Sequence, residues 1–210
     1  MGGRVCNVVG SQDGTQTGEI RDGAVGVYLS RHASLTMSGV ILRNCTASIL
    51  AEDWSNGISG ARAVLQDVRI TGSGGAAVVV GRLKVEDVTI DANPGTGISA
   101  GMLGNVKAKG LTVTGNASSA NCQVYGCEGT EAGSISGRDV IVRDNVGIGI
   151  HAKKLRLHKS TVLNNLVAGS PRDVITREVP RLHGVDCGIS LDWQSVSPST
   201  WNVCWLDHLL

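Results

Sequence analysis

The chain has 210 residues, enough for one sizeable domain or two small ones. It has 29 glycines and no Phe, and aromatics make up 3% of it, so large rings cannot fill its core and Val, Ile, Leu and Ala must do so. A net charge of +1 argues against a general nucleic-acid surface, and no apolar run reaches the length of a membrane-spanning helix.

Along the chain one unit recurs: a short strand, a tight two-residue bend and a second short strand. The second bend residue falls in turn at Asn7, Gly39, Asp67, Asp87, Gly110, Asp139 and Lys159, with a looser last match at Asp186. Asn, Asp and Gly dominate this column because they accept a left-handed backbone. Four and two residues before the bend, and one and three after it, the residues are almost wholly apolar, as in Leu83, Val85, Val88 and Ile90 around Asp87. The positions between them are mostly polar, which is strand alternation on both sides of a bend. Six residues after the bend stand Asp13, Cys45, Ser73, Asn93, Asn116, Asn145, Asn165 and Asp192. The run Asn93, Asn116, Asn145, Asn165 predicts an internal amide ladder. A third short strand with a Gly-Ile or Gly-Val signature follows in several units, at Gly26, Gly57, Gly97 and Gly147.

Three short strands and their turns make one coil of about 20 residues, and longer units carry their excess between the Asn column and the next bend, as in the loop from Ala117 to Ala132. Helical repeats would show a 3.6-residue period and few glycines. An antiparallel sandwich remains the alternative, but it does not require equivalent residues to recur in columns.

The column pattern, from about Arg4 to Asp192, resembles the right-handed parallel β-helix of the pectate-lyase-like superfamily. The resemblance implies an all-β solenoid of about seven to eight coils of roughly 20–32 residues, with the bend separating the second strand of each coil from the third. It also implies a polysaccharide groove along the first strand and its flanking loops, here the Gly-Ile-Ser strands. Residues 1–192 are expected to form coils. Residues 193–210 are expected to form a C-terminal cap, with Trp193, Trp201 and Trp205 over the last coil and a staple from Cys187 to Cys204. No N-terminal cap or signal peptide is recognisable, so upstream coils or a partner are expected to cover that end. Cys122 and Cys127 flank a short loop and read as a second local disulfide, which together imply an oxidising compartment, extracellular or at the cell envelope. Free buried thiols are the alternative. Cys6 and Cys45 have no evident partners.

The chemistry is sparse. The polygalacturonase-type motifs Asn-Thr-Asp, Asp-Asp, Gly-His-Gly and Arg-Ile-Lys are absent, as are the methylesterase and epimerase signatures. Asp91 and Asp144 with Arg143, His151 and Lys153 form a thin catalytic candidate set for a lyase or hydrolase of acidic polysaccharide, and calcium enters only under that alternative. The competing reading makes them solvated turn residues. Lys84, Lys107 and Arg156 share one outward column, with Lys109, Arg138 and His158 in another, and together with Lys153, Lys154 and Lys159 they form a candidate surface for an anionic glycan or a membrane surface, interrupted by Glu86 and Asp87. Trp54 and Tyr125, both in excursions from the repeat, are candidates for stacking on sugars. No metal-ligand spacing is present. The leading expectation is a structural or glycan-binding module without an identifiable catalytic motif.

Overall fold

The computed structural model describes residues 7–9, 18–30, 32–51, 60–101, 103–116, 128–167, 170–171, 173–176, 178 and 180–187. Among them no segment is helical. Seventeen strands join in one sheet that winds around the molecule, and neighbours pair in parallel between successive coils. The stretch that reads locally as a hairpin, Arg82–Asp91, does not pair with itself. Its first half pairs with Arg62–Gln66 below and its second half with Arg69–Thr71, while Asn105–Thr114 pairs with both halves from above. Each coil is too small to bury its own apolar face, so stacking is what makes the fold stable.

The bend column is real and lies in the left-handed region. Gly39, Asp67, Asp87, Gly110, Asp139 and Lys159 have φ between 47° and 63°. The last bend corrects the expectation: it is Gly184, at φ 58°, and not Asp186. Leu157 pairs with Leu182 and Ser160 with Val185, which puts Gly184 opposite Lys159. The apolar residues on both sides of Asp186 concealed the two-residue offset. The first unit is also corrected. Asn7 lies in the strand Asn7–Val9, which runs antiparallel to Gly18–Arg21 and is not the bend of a coil.

The core is aliphatic throughout. Leu42, Ile70, Ile90, Val113, Val142 and Val162 are fully buried in one axial stack, one per coil. This is how the chain dispenses with Phe: a flat stack spaced about 4.8 Å is filled by branched aliphatics, with no wide layer for a ring to span.

A second left-handed column, not anticipated, lies one residue before the ladder and contains Asp22, Asn44, Gly72, Ala92, Gly115, Asp144 and Asn164. It turns each coil into the ladder corner. Inside that corner Asn93 Nδ2 donates to Asn116 Oδ1 (2.7 Å), Asn116 to Asn145 (3.0 Å), and Asn145 to Asn165 (2.8 Å). Each of these oxygens also accepts the backbone N–H of the preceding rung, and each amide also donates to a carbonyl of the coil before it. The ladder starts on a Ser73–Ser48 hydroxyl pair (2.6 Å) and ends on the buried carboxylate of Asp173, which accepts from Asn165 N (2.9 Å) and Nδ2 (2.8 Å). All four asparagines are buried with their side-chain amides hydrogen-bonded, so the rungs are polar without an unpaired amide.

The Gly-Ile signature follows from the ladder. A Cβ at Gly97 would lie 3.4 Å from Asn116 Nδ2, at Gly129 3.0 Å from Asn145 Nδ2, and at Gly149 2.5 Å from Asn165 Nδ2. These glycines keep open the space that the amides fill. In the Gly-Ile-Gly-Ile stretch the equivalent residue is therefore Gly149 and not Gly147. Gly57 lies outside the described residues. Cys45, without an evident partner from its position in the sequence, is disulfide-bonded, and its partner lies beyond the described side chains. Cys122, Cys127 and Cys204 lie outside the described residues, as does the expected cap, and Cys187 ends the strand Arg181–Cys187.

Candidate functional site

Parallel stacking in register turns a sequence column into a physical row, with side chains about 4.8 Å apart along the axis. The outward face of the second strands carries three such rows. Arg62, Arg82, Asn105, Ser134 and Lys154 form the first. The second runs Thr36, Val64, Lys84, Lys107, Ser136, Arg156, Arg181. The third runs Ser38, Gln66, Glu86, Lys109, Arg138, His158, His183. The rows hold three, four and two lysines or arginines, nine of the 19 in the chain, against one of its 18 carboxylates, Glu86. The near-neutral total conceals a strongly cationic face. The bend carboxylates Asp67, Asp87 and Asp139 border it along one edge.

Lys84, Lys107 and Arg156 stand exposed in a single row, as the column predicts. Lys154 joins the face as the sequence suggests, whereas Arg62, Arg82, Arg181 and His183 were missed: the first two share a row with the uncharged Asn105 and Ser134, and the last two were displaced by the misplaced final bend. Within the face Lys109 Nζ bonds Glu86 Oε1 at 2.6 Å. That bond, with the attraction of the ammonium, holds the Glu86 carboxyl below its usual range and raises Lys109. Glu86 is therefore occupied and repels an incoming anion little. Lys154 lies 3.7 Å from Glu178, and Arg138 3.4 Å from Asp139.

The proposed catalytic set does not converge. Asp91 lies on the outward face of the third strands, bound by Arg69 through Nε (3.2 Å) and Nη2 (2.7 Å). The bidentate bond and the Asp91 charge raise the Arg69 pKa further. Asp144 is a left-handed corner residue that accepts from Asn164 Nδ2 at 3.2 Å and lies 3.6 Å from Arg143. Arg143 is on the third-strand face, in register with Thr114 and Leu163. His151 and Lys153 lie on the first strand of their coil, where His151 is in register with Glu131 and Ile175. That row brings in two residues the sequence did not suggest: Ser99, in register with Glu131, donates its hydroxyl to Glu131 Oε2 at 3.1 Å. The long insertion between the coils separates Ser99 and Glu131 by 32 residues and hid the pair. Trp54 and Tyr125 lie outside the described residues. Among the described residues no group of three or more His, Cys, Asp or Glu converges as a metal site, and no helix is long and apolar enough to cross a membrane.

No curated protein and no solved structure matches the chain. The right-handed beta helix family matches residues 21–197, which is most of the chain and includes every described parallel strand from Val25 onward. The winding parallel sheet, the recurring left-handed bend and the buried amide ladder agree with that match, and the chain belongs to the right-handed beta helix family.

Proposed function

We propose that the chain is a binding module for an anionic polysaccharide, laid along the axis on the second-strand face, at the cell surface or outside the cell. The observation that carries this reading is the cationic lattice, with nine lysines and arginines and a single, internally paired carboxylate. Charges recur at each strand spacing, so a linear polymer with one carboxylate or sulfate per sugar meets a cation at most steps. The three rows carry no Phe, Tyr or Trp, whereas single-stranded nucleic acids are held mainly on such aromatic stacking platforms. The disulfide at Cys45 supports the location, because such bonds persist in oxidising compartments.

The test is retention on immobilised polygalacturonate and dextran sulfate, with salt elution. The triple variant R82A/K84A/K107A is expected to bind about tenfold more weakly with an unchanged unfolding midpoint, since all three side chains are exposed. Unchanged affinity in the triple variant, or tighter binding to a single-stranded oligonucleotide at the same salt, would sink the reading.

A second reading, an enzyme acting on acidic polysaccharide, is favoured only by the Ser99–Glu131–His151 row. There a carboxylate and an imidazole occupy adjacent coils on the first-strand face. Such a pair suits general acid–base chemistry. Reducing-end and unsaturated-uronate assays on a uronate panel test it: activity that falls about a hundredfold in E131Q supports it. Absence of any release removes it.

A further inference from the structure

We infer that the C-terminal end of the cationic face is a discrete oxyanion subsite, built from Arg156, His158, Arg181 and His183, that grips a sulfate or carboxylate group and binds it more tightly as the histidine pair takes up protons. This deepens the polysaccharide reading, and rests on it, by naming the group on the polymer that is held most firmly.

A hollow of about 310 Å³ opens at this end, lined by these four residues with Ser136, Gly137 and the edges of two leucines. Its cause is local. Ser136 stands in the row between Lys107 and Arg156, and Gly137 stands where the neighbouring coils carry Ala108 and Leu157. The short Ser136 in one coil, beside the long cationic side chains of the next two, leaves a recess lined by Arg156, His158, Arg181 and His183.

The two imidazoles are stacked, with centroids 5.0 Å apart and planes inclined by 19°. They are register partners on adjacent strands, so the strand spacing itself sets the stack. His158 Nδ1 is buried and has no hydrogen-bond partner in the protein. Arginine forks suit planar or tetrahedral oxyanions because they present parallel donors.

The surroundings set the direction of the pH effect. The strand Glu128–Arg138 contributes Arg138, paired with Asp139 at the bend. The pair's own strand contributes Arg156 and Lys159, and the strand Arg181–Cys187 contributes Arg181 and Asp186. Cations outnumber carboxylates here, so the hollow suits an anion, and a bound oxyanion attracts imidazolium more strongly than neutral imidazole. Histidine ordinarily changes charge between about pH 5 and 8. Binding therefore takes up protons, and affinity rises as pH falls through that range.

Two measurements separate this subsite from the wider reading. In the first, inorganic sulfate is titrated into the wild-type chain at pH 5.5 while the ring resonances of His158 and His183 are followed by NMR. Both rings are expected to shift saturably. Rings that do not move overturn the subsite, whatever the polymer does. In the second, affinities for dextran sulfate and polygalacturonate are compared at pH 5.5 and pH 7.5. Wild type is expected to bind about tenfold more tightly at the lower pH. The polymer with the larger ratio identifies the substituent. H158Q/H183Q, and the exposed single variant H183Q in case the double variant folds poorly, are expected to lose most of that ratio. A ratio that persists in both variants overturns the subsite and leaves the polysaccharide reading standing. Polymers that fail to bind at either pH, with sulfate still shifting both rings, sink the polysaccharide reading and leave the subsite.

Discussion

Asn116 is the residue on which the ladder is best tested. Its side chain accepts from Asn93 N (3.3 Å) and Nδ2 (2.7 Å) and donates to Ile90 O and Asn145 Oδ1, both at 3.0 Å. Asn116→Ala leaves buried donors and acceptors on both neighbouring rungs without partners, at about 1–3 kcal/mol for each group not rehydrated. A loss of about 3 kcal/mol or more is expected in urea unfolding. Asn164→Ala, at the exposed outer corner one residue before a rung, leaves no buried group unpaired and is expected to show only the left-handed backbone cost, about 1 kcal/mol. The glycines separate two physical causes in the same way. A Cβ at Gly129 would come within 2.8 Å of Gly149 O and 3.0 Å of the Asn145 amide, so Gly129→Ala is expected to cost about 1–3 kcal/mol through overpacking. Gly39 has φ 62° and no atom within 4 Å of its would-be Cβ. Gly39→Ala should therefore show only the backbone cost, about 1–2 kcal/mol.

At the scale of the element, the bend is what converts a hairpin-like sequence into a solenoid coil. One left-handed residue turns the chain without letting its two halves face each other, so each half must find partners in other coils. Lys159 occupies this position without the side-chain help that Asn or Asp can give, at φ 47°. Lys159→Gly relieves about 1–2 kcal/mol of steric cost and gives back about 0.5–1 kcal/mol in chain entropy. A modest rise in melting temperature is therefore expected. The Glu86–Lys109 pair belongs to the same strands. Its depressed carboxyl pKa means that the attraction is present above the unfolded-state value and is lost as pH falls through the folded-state one. Glu86→Gln frees Lys109 for an anion at neutral pH, and about twofold tighter polymer binding is expected by the same elution assay.

For the whole molecule, the solenoid was legible in the sequence because every coil repeats the same physical demands at the same positions. Six bends, the inward apolar rows and four ladder asparagines follow directly from residue type. Errors arose where a coil departs from the repeat. Gly184 lies two residues before an aspartate that fits the pattern almost as well, and Asn7 pairs antiparallel. The function was less legible for a related reason. A linear reading adds charges along the chain, while the fold sorts them onto faces. Net charge and even single columns missed that nearly half of the cations share one surface. Arg82 is legible as an outward residue only once its row with Arg62 and Lys154 is followed through the coils. Ser99 and Glu131 gave no signal at all, because a loop of variable length separates residues that the axis places one step apart.

The ladder also has two different ends. It begins in a pair of hydroxyls and finishes on a carboxylate, while every rung between them both gives and receives in the same sense. A rung with its clearance glycine is therefore a self-contained cassette whose upper and lower surfaces fit copies of itself. The 20-residue step from Asn145 to Asn165, with Gly149 inside it, is such a cassette without an inserted loop. Duplicated in frame after Asn165, it should lengthen the rod by one strand spacing, about 4.8 Å, and add one more Lys, Arg and His set to the cationic face. Lineages of this architecture can then change the length of polymer they span by copying genetic text, without redesigning a core or an end.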